Sequence, residues 1–345
     1  GALAQRLRSA RGSPRSLHCF TGVYRRLIPD REGFHASLVA RSLGLPIHLS
    51  VADDYRMMER WGELPLPPEP GDHVLDAFFY DVDRMVAEKA RAVLTGHGGD
   101  VLLASSTGYF LDQLRHGRPD RALAYLVSGF YRIGKRPPLG LWSAWRRRRR
   151  RRRWRQGFPP WLTPDFVRHQ RLEERWRWYW LERAPNPRHP THADAHAALV
   201  DVDYSTFFEH QDAGARRRPF ELRHPFFDLR LIEHVLAMPP APWCLDKYVL
   251  REATRDLLPE AIRTRPKSPL AGNPHHRWTR SPSEAWTVQL REVPEIAAYV
   301  QPQAVLDTLR HDEAEGRIGR QHQIGRRPLN LAYWMRQMRY TTFRV

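Results

Sequence analysis

Two patterns of hydrophobic and polar residues alternate along the first hundred positions of the chain. Short apolar runs between turn-forming residues are typical of buried strands, and apolar residues every three or four positions are typical of helices. The strand pattern occupies 17–24, 46–51 and 92–95, and the helix pattern occupies 2–11, 29–44 and 75–90. This alternation predicts an α/β layer with a mostly parallel sheet, which binds ligands at the carboxyl ends of its strands.

The pattern changes after residue 106, where strand signals fade and helical spacing dominates. Helical spacing is present at 109–131, at 165–181 and from residue 193 onward. We therefore predict an α/β part over 1–106 and a mainly helical part over 107–345. The helical part contains an arginine-rich linker at 146–155.

Composition supports a folded domain and limits its surroundings. Hydrophobic residues make up 41% of the 345 residues, which is ample for a core, and no apolar run is long enough to span a membrane. The two cysteines, Cys19 and Cys244, are far apart and indicate no disulfide framework, which favours a reducing, cytoplasmic location. The net charge of +18 comes almost entirely from arginine and attracts nucleotides, nucleic acid or acidic partners.

The first candidate motif follows the third predicted strand and reads T-G-H-G-G-D, from Thr95 to Asp100. Glycines at a strand end let the backbone approach a ligand closely and direct its N–H groups at phosphate oxygens. An aspartate at the end of such a loop can coordinate Mg²⁺. A glycine-rich turn without any ligand explains the same residues.

The second candidate motif is E-L-R-H-P-F-F-D-L-R-L, at 221–231. Its single proline suggests a fixed turn that enters a helix, with Asp228 as the helix cap. The alternative is a buried corner of ion pairs built from Glu221, Arg223, Asp228 and Arg230.

The third candidate motif carries two of the few lysines in the chain. It reads K-Y-V-L-R from Lys247 to Arg251, then L-P at 258–259 and R-P-K from Arg265 to Lys267. Lysine presents a compact charge that suits a phosphate group. Solvated surface lysines remain the alternative for each of them.

Taken together and in this order, the three motifs resemble the synthetase domain of the asparagine synthetase family. That family shows G-x-G-[GS]-D after a strand, then E-x-R-x-P-F-[LF]-D, then K-x-x-L-R, L-P and R-x-K. The resemblance covers roughly residues 1–275, and the tail after Asn273 has no counterpart except a closing helix around Trp334. It implies the ATP-pyrophosphatase fold, similar to adenine nucleotide alpha hydrolases, in which a parallel sheet has helices on both faces.

The resemblance also implies a reaction and roles for residues. ATP would adenylate a carboxylate and release pyrophosphate, and an amine would then form the amide. The backbone of Thr95, Gly96, Gly98 and Gly99 would line the α-phosphate and the carboxylate, and Asp100 would help to hold Mg²⁺. Lys267 would stabilise the transition state, Lys247 would contact a second phosphate, and Phe20 and Thr21, at the end of their strand, would lie near adenine.

The chain departs from the family pattern in its first motif. The family begins with S-G-G-x-D-S before the first helix, and this string is absent from the sequence, which starts at Gly1 inside a predicted helix. We therefore expect little ATP-dependent activity from residues 1–345 alone, and a separate chain that supplies the loop or ammonia is a candidate partner.

A second departure is His97, where asparagine synthetases carry glutamate. A histidine can act as a base toward an amine, and it can equally be a packed or solvent-facing loop residue. Glu209 or Asp212 falls where ring-closing relatives place a carboxylate partner for that residue. The residue pattern of 221–231 is similar to the corresponding stretch of lasso-peptide macrolactam cyclases. The substrate is therefore either a small carboxylate such as aspartate or a peptide carboxylate.

Two further interpretations belong to other classes of protein. The arginine run 146–153, flanked by Trp145 and Trp154, could bind a nucleic-acid backbone, although a solvated linker explains it better and no nucleic-acid motif accompanies it. The alternation His192, Asp194, His196 resembles metal-ligand spacing, but its place after a proline-rich turn favours surface residues at a helix start.

Overall fold

The computed structural model describes most of the chain. The described residues are 1–60, 63–65, 69–71, 75–104, 108–134, 137–142, 145, 157–182, 189–266, 290, 292–314 and 320–342. Lys267, the arginine-rich linker 146–155 and Trp154 lie outside them, so the predictions made for these residues stay predictions.

The strands of the described residues form two parallel pairs. They are β1 (Cys19–Val23), β2 (Ile47–Val51), β3 (Ala92–Leu94) and β4 (Glu221–Arg223). β1 pairs with β2, and β3 pairs with β4. The chain is thus a mixed α/β protein with small parallel sheets, as predicted, while the ATP-pyrophosphatase arrangement with helices on both faces of one sheet stays a prediction.

Helices connect and follow these strands. They are α1 (Ala2–Ala10), α2 (Glu32–Ser42), α3 (Asp76–Ala87), α4 (Gly99–Leu102), α5 (Tyr109–Arg115), α6 (Pro119–Ile133), α7 (Pro164–His169), α8 (Leu172–Arg177), α9 (Ala193–Leu199), α10 (Val202–Gln211), α11 (Leu229–Ala237), α12 (Tyr248–Ala253), α13 (Glu260–Arg263), α14 (Pro302–Ala314) and α15 (Arg320–Thr342). No helix of the described residues is both long and apolar enough to cross a membrane.

β1, α2 and β2 form a β–α–β unit, because parallel neighbours need a crossover connection. α2 packs against both strands, and its Ala40 is fully buried. The predicted helix and strands in this stretch are confirmed, with their ends within a few residues of the predicted ones.

Two predicted long helices are interrupted. The stretch 109–131 divides into α5 and α6, because Pro119 occupies the first turn of α6 and has no N–H to continue a preceding helix. The stretch 165–181 divides at Arg171, whose φ of 47° lies in the left-handed region, and it ends in a π-helical segment, Trp178–Glu182.

β4 is a strand that the sequence pattern did not indicate. The prediction there was a turn entering a helix, and the helix is confirmed: Asp228 caps α11 by accepting a hydrogen bond from the backbone of Arg230. The alternative of a buried ion-pair corner is wrong. Arg223 pairs with Glu221 and Arg230 with Asp228, and these four side chains are 39% to 90% exposed.

Hydrophobic clusters hold the helical part together. One lies beneath α4 and joins Leu102 and Leu103 to Val235 of α11 and to Cys244. A second joins Trp161 to Ile296, Val300 and residues of α15. The predicted closing helix around Trp334 is confirmed as part of α15, and its Leu329, Ala332 and Tyr333 are buried.

His192 is not a surface residue, contrary to the prediction. It precedes α9, is fully buried, and its Nε2 lies 2.8 Å from the carbonyl oxygen of Met238. Packing against the segment after α11 buries it, which local sequence did not indicate. Among the described residues, no group of three His, Cys, Asp or Glu side chains is arranged to hold a metal ion.

Candidate active site

The first two motifs meet because their strands are neighbours. β3 and β4 pair in parallel with Leu94 opposite Arg223, so both motifs leave the sheet at the same edge. The backbone N–H of Thr95 continues the ladder by donating to the carbonyl of Arg223 at 2.9 Å. The Thr95 hydroxyl lies 2.6 Å from Nδ1 of His224, which is a contact between residues 129 positions apart.

Two of the three glycines in the loop lie against the aromatic pair of the second motif. Gly98 has a φ of 88°, and a Cβ built on it would lie 2.6 Å from the Phe227 ring. A Cβ on Gly99 would lie 3.2 Å from the ring of Phe226. The loop is therefore compressed between its strand and these rings, and packing alone accounts for two of its glycines.

Asp100 and Lys247 form an ion pair. Lys247 Nζ lies 2.7 Å from Oδ1 of Asp100, and the two side chains are 38% and 65% exposed. Lys247 has a φ of 55° and precedes α12. The structure thus brings together the residue predicted to hold Mg²⁺ and a residue predicted to contact phosphate. Because the ion pair is exposed, separating its two side chains costs little free energy.

Arg251 ties the loop of Lys247 to the segment that leads toward Lys267. Its Nε donates to the carbonyl of Asp246 at 2.9 Å. Its two terminal nitrogens donate to the carbonyls of Arg263 at 2.8 Å and of Arg265 at 3.0 Å. One planar guanidinium therefore fixes two segments of the third motif relative to each other. Sequence reasoning matched Arg251 to the family motif without assigning it a task.

A second tie joins the third motif to the β–α–β unit. The guanidinium of Arg265 donates to a carboxylate oxygen of Glu32, at the start of α2, over 2.7 Å. The two residues are 233 positions apart. The chain just before Lys267 is thereby attached to the part of the molecule that contains β1.

His97 is exposed at the tip of the loop and borders an aromatic surface. We define that surface as the rings of Tyr204, Phe207 and Phe208 of α10, with His224 and Phe227 after β4. The His97 ring lies 5.0 Å from the Phe207 ring and 5.7 Å from the His224 ring, centre to centre. Burial, and secondarily the neighbouring His97, lowers the pKa of His224 below its ordinary value.

Glu209 and Asp212, the two candidate partners of His97, lie at the end of α10 or beyond it. Glu209 is exposed on the helix that supplies Phe207, and no described contact joins it to His97. Asp212 follows the helix, and its carboxylate accepts a hydrogen bond from the backbone of Ala215 at 2.9 Å. Asp212 thus stabilises a local turn. The role predicted for Glu209 stays a prediction.

Phe20 and Thr21 lie inside β1, whereas the prediction put them at the strand's end. β1 continues to Val23, because its pairing with β2 extends to Val51. The Phe20 ring stacks on His48 of β2 with 4.8 Å between ring centres. Their predicted place near adenine is not tested by these contacts.

The carboxyl ends of β1 and β2 are joined by a residue that sequence reasoning did not single out. The Asp53 carboxylate accepts hydrogen bonds from the backbone N–H groups of Arg25, Arg26 and Leu27 at 2.6 to 2.7 Å. Desolvation opposes ionisation of Asp53, but these donors outweigh it and lower its pKa. The sequence does contain a signal for this residue, since the aspartates at 53 and 54 follow the predicted strand 46–51 after one intervening alanine.

Comparison with known proteins identifies the family that the motifs resemble. The family model for asparagine synthase matches residues 1–336, and the chain belongs to that family. Its members are in general ATP-dependent amide ligases, so the chain is a carbon–nitrogen ligase by class. The match continues past residue 275, where the motif resemblance ended, and includes most of α15. No curated protein and no solved structure gave a significant match.

Proposed function

We propose that the chain forms an amide through an acyl-adenylate. A carboxylate oxygen of the substrate attacks the α-phosphorus of ATP, and the bond from that phosphorus to pyrophosphate breaks. The nitrogen of an amine then attacks the acyl carbon, the bond to AMP breaks, and the nitrogen loses a proton. The observation that carries the proposal is the meeting of three motifs, through β3, β4 and the Asp100–Lys247 pair.

Each motif has a task in this proposal. The backbone of Thr95 to Gly99 receives the α-phosphate and the substrate carboxylate. Lys247 leaves Asp100 to contact a phosphate, and Lys267 stabilises the charge that develops on the phosphorus and on pyrophosphate. We assign to His97 the acceptance of the amine proton, because its imidazole is exposed on the loop that receives the carboxylate.

The residues present fit a bound Mg²⁺. In nucleotide enzymes this ion is typically held by one or two carboxylates together with the substrate phosphates. Asp100 offers one exposed carboxylate, and it lies beside Lys247, which in our proposal contacts a phosphate. When bound, Mg²⁺ neutralises phosphate charge. Asp100 would hold it once Lys247 has turned toward the nucleotide.

The aromatic surface beside His97 favours a peptide over free aspartate as the substrate. Aspartate presents charges on all sides, and selective binding would need charged partners. The aromatic surface instead offers apolar contact: Phe207 lies against His97, and Phe208, which lies against Phe207, is 39% exposed. A peptide that supplies both the carboxylate and the amine, as in macrolactam formation, matches such a surface better.

Product analysis tests both parts of the proposal. A longer protein that also supplies an S-G-G-x-D-S loop is incubated with ATP, Mg²⁺ and either aspartate with ammonia or a linear peptide that carries an acidic side chain and a free amino terminus. We expect AMP and pyrophosphate in equal amounts, and a peptide product lighter by one water. ADP in place of AMP would refute the adenylate, whereas asparagine as the product would refute only the peptide preference.

A further inference from the structure

A cavity of about 810 Å³ lies against α15, and none of its described wall residues belongs to the three motifs. This volume is within the range of pockets that hold small organic ligands. The walls are mainly apolar and aromatic, and include Phe166, Tyr299, Leu331 and Trp334. None of the described wall residues is an aspartate, a glutamate or a lysine.

One wall is held firmly in place by backbone pairing. Leu162 and Val300 form an antiparallel bridge. The N–H of Thr163 donates to the carbonyl of Tyr299 at 3.0 Å, and the N–H of Gln301 donates to the carbonyl of Trp161 at 2.7 Å. The cavity therefore exists between a tethered pair of segments and one face of α15.

Among the described wall residues, Arg327 carries the only charge. It lies one helical turn before Leu331 on the same side of α15, is exposed, and forms no ion pair with a described carboxylate. A cation beside apolar walls favours a ligand that combines an apolar body with a negative charge.

We propose that this cavity binds an apolar carboxylic acid, whose hydrophobic body contacts the aromatic walls and whose carboxylate pairs with Arg327. Complementary charge, and the absence of acidic side chains among the described wall residues, favour this acid over a cationic ligand of similar size. The acid can be a free small molecule or the carboxyl-terminal residue of a peptide, since both present the same groups.

Fluorine NMR on the full chain tests this directly. The probe 4-fluorophenylacetate is compared with 4-fluorophenylacetamide, which has the same body and no charge. We expect the acid to bind at least about tenfold more tightly than the amide, because a charge-assisted hydrogen bond to arginine is lost with the amide. Equal affinity of acid and amide would overturn the proposal.

Three variants assign the binding to this cavity. Arg327→Gln should abolish the preference for the acid, and Leu331→Trp should weaken the binding of both probes by filling the cavity. Arg255→Gln, which removes an exposed arginine that pairs with Glu252, should change neither affinity. Unchanged acid binding by a folded Arg327→Gln protein would refute the site.

Three further probes distinguish a peptide end from a free small molecule as the source of the acid. Gly-Gly-Phe with a free carboxyl end is compared with its amidated form and with phenylacetate. Tighter binding of the free tripeptide than of phenylacetate supports a peptide end as the ligand, and the reverse order supports a free acid. Failure of every carboxylate to bind overturns the proposal and leaves the amide-ligation proposal untouched.

Discussion

Single side chains determine the structure of the loop from Thr95 to Asp100. Gly98 adopts a backbone conformation that favours glycine, and it also faces the ring of Phe227 at a distance no Cβ tolerates. Asp100, two positions later, instead reaches outward to Lys247. One short loop thus carries a residue required for packing beside a residue available for chemistry.

Gly98→Ala should destabilise the protein through overlap with Phe227. Gly117→Ala is the matched control, since Gly117 also has a positive φ, of 66°, but nothing lies within 4 Å of the position its Cβ would take. We expect Gly98→Ala to cost about 1–3 kcal/mol more than the control, the usual cost of overpacking, measured by urea unfolding. Equal costs would show that Phe227 is not tight against the loop, and adding Phe227→Leu should recover part of the loss.

His192 should make stability depend on pH. Burial lowers its pKa below 6.5, an effect that its hydrogen bond with Met238 only partly offsets, so the folded state holds it neutral. The unfolded chain then binds more protons below pH 6.5. Stability is therefore fully present above that pH and falls as the pH drops, by up to about 1.4 kcal/mol per pH unit for one proton.

His192→Gln provides the comparison for this titration. Glutamine can still donate to the carbonyl of Met238 but carries no titrating group. Its unfolding free energy should fall less steeply between pH 6.5 and pH 5 than that of the natural chain. His189 adds to the slope in both proteins, because burial and its histidine neighbours lower its pKa as well. Identical slopes would contradict the assignment to His192.

At the scale of elements, short pieces of structure are positioned by side chains from distant parts of the chain. β4 has only three residues and is defined by its pairing with β3. The loop of Lys247 and the segment that ends at Arg265 are joined by Arg251, and Arg265 is attached in turn to α2 through Glu32. The position of Lys247 therefore depends on residues that contact no nucleotide in our proposal.

Arg251→Gln should weaken ATP binding at least about tenfold, because the planar fork that reaches three carbonyl groups is lost. Arg251→Lys should recover little, since one ammonium cannot reproduce that geometry. Arg255→Gln, four positions later, should bind ATP like the natural chain. Calorimetry measures these affinities, and melting temperatures exclude global unfolding. Natural affinity in a folded Arg251→Gln protein would show that Arg251 does not position the site.

The sequence predicted those elements whose signal is local. β1, β2 and β3 lie between turn residues and contain enough apolar residues to be recognised, and Asp228 as a helix cap follows from its place before α11. β4 was missed because three residues show no periodicity. The bonds of Arg251 and the burial of His192 were missed because they depend on contacts between segments far apart in the chain.

At the scale of the whole molecule, the family match assigns the ligase class, and the described fold brings separate motifs together. The match runs from residue 1 to residue 336, so it includes both the strand-containing part and the helical part. The site draws its residues from β3, β4 and the start of α12, which belong to both predicted parts. The two parts therefore contribute jointly to the proposed reaction.

The central claim is that a carboxylate is adenylated at the loop that ends in Asp100. ATP–pyrophosphate exchange that depends on an added carboxylate measures this step alone. It is run on residues 1–345 and on a longer protein that supplies an S-G-G-x-D-S loop, each with Asp100→Asn and with the exposed control Asp165→Asn. We predict exchange in the longer protein that Asp100→Asn reduces at least about a hundredfold and Asp165→Asn leaves unchanged. Absence of exchange from the longer protein with every carboxylate, or exchange indifferent to Asp100→Asn, would contradict the account.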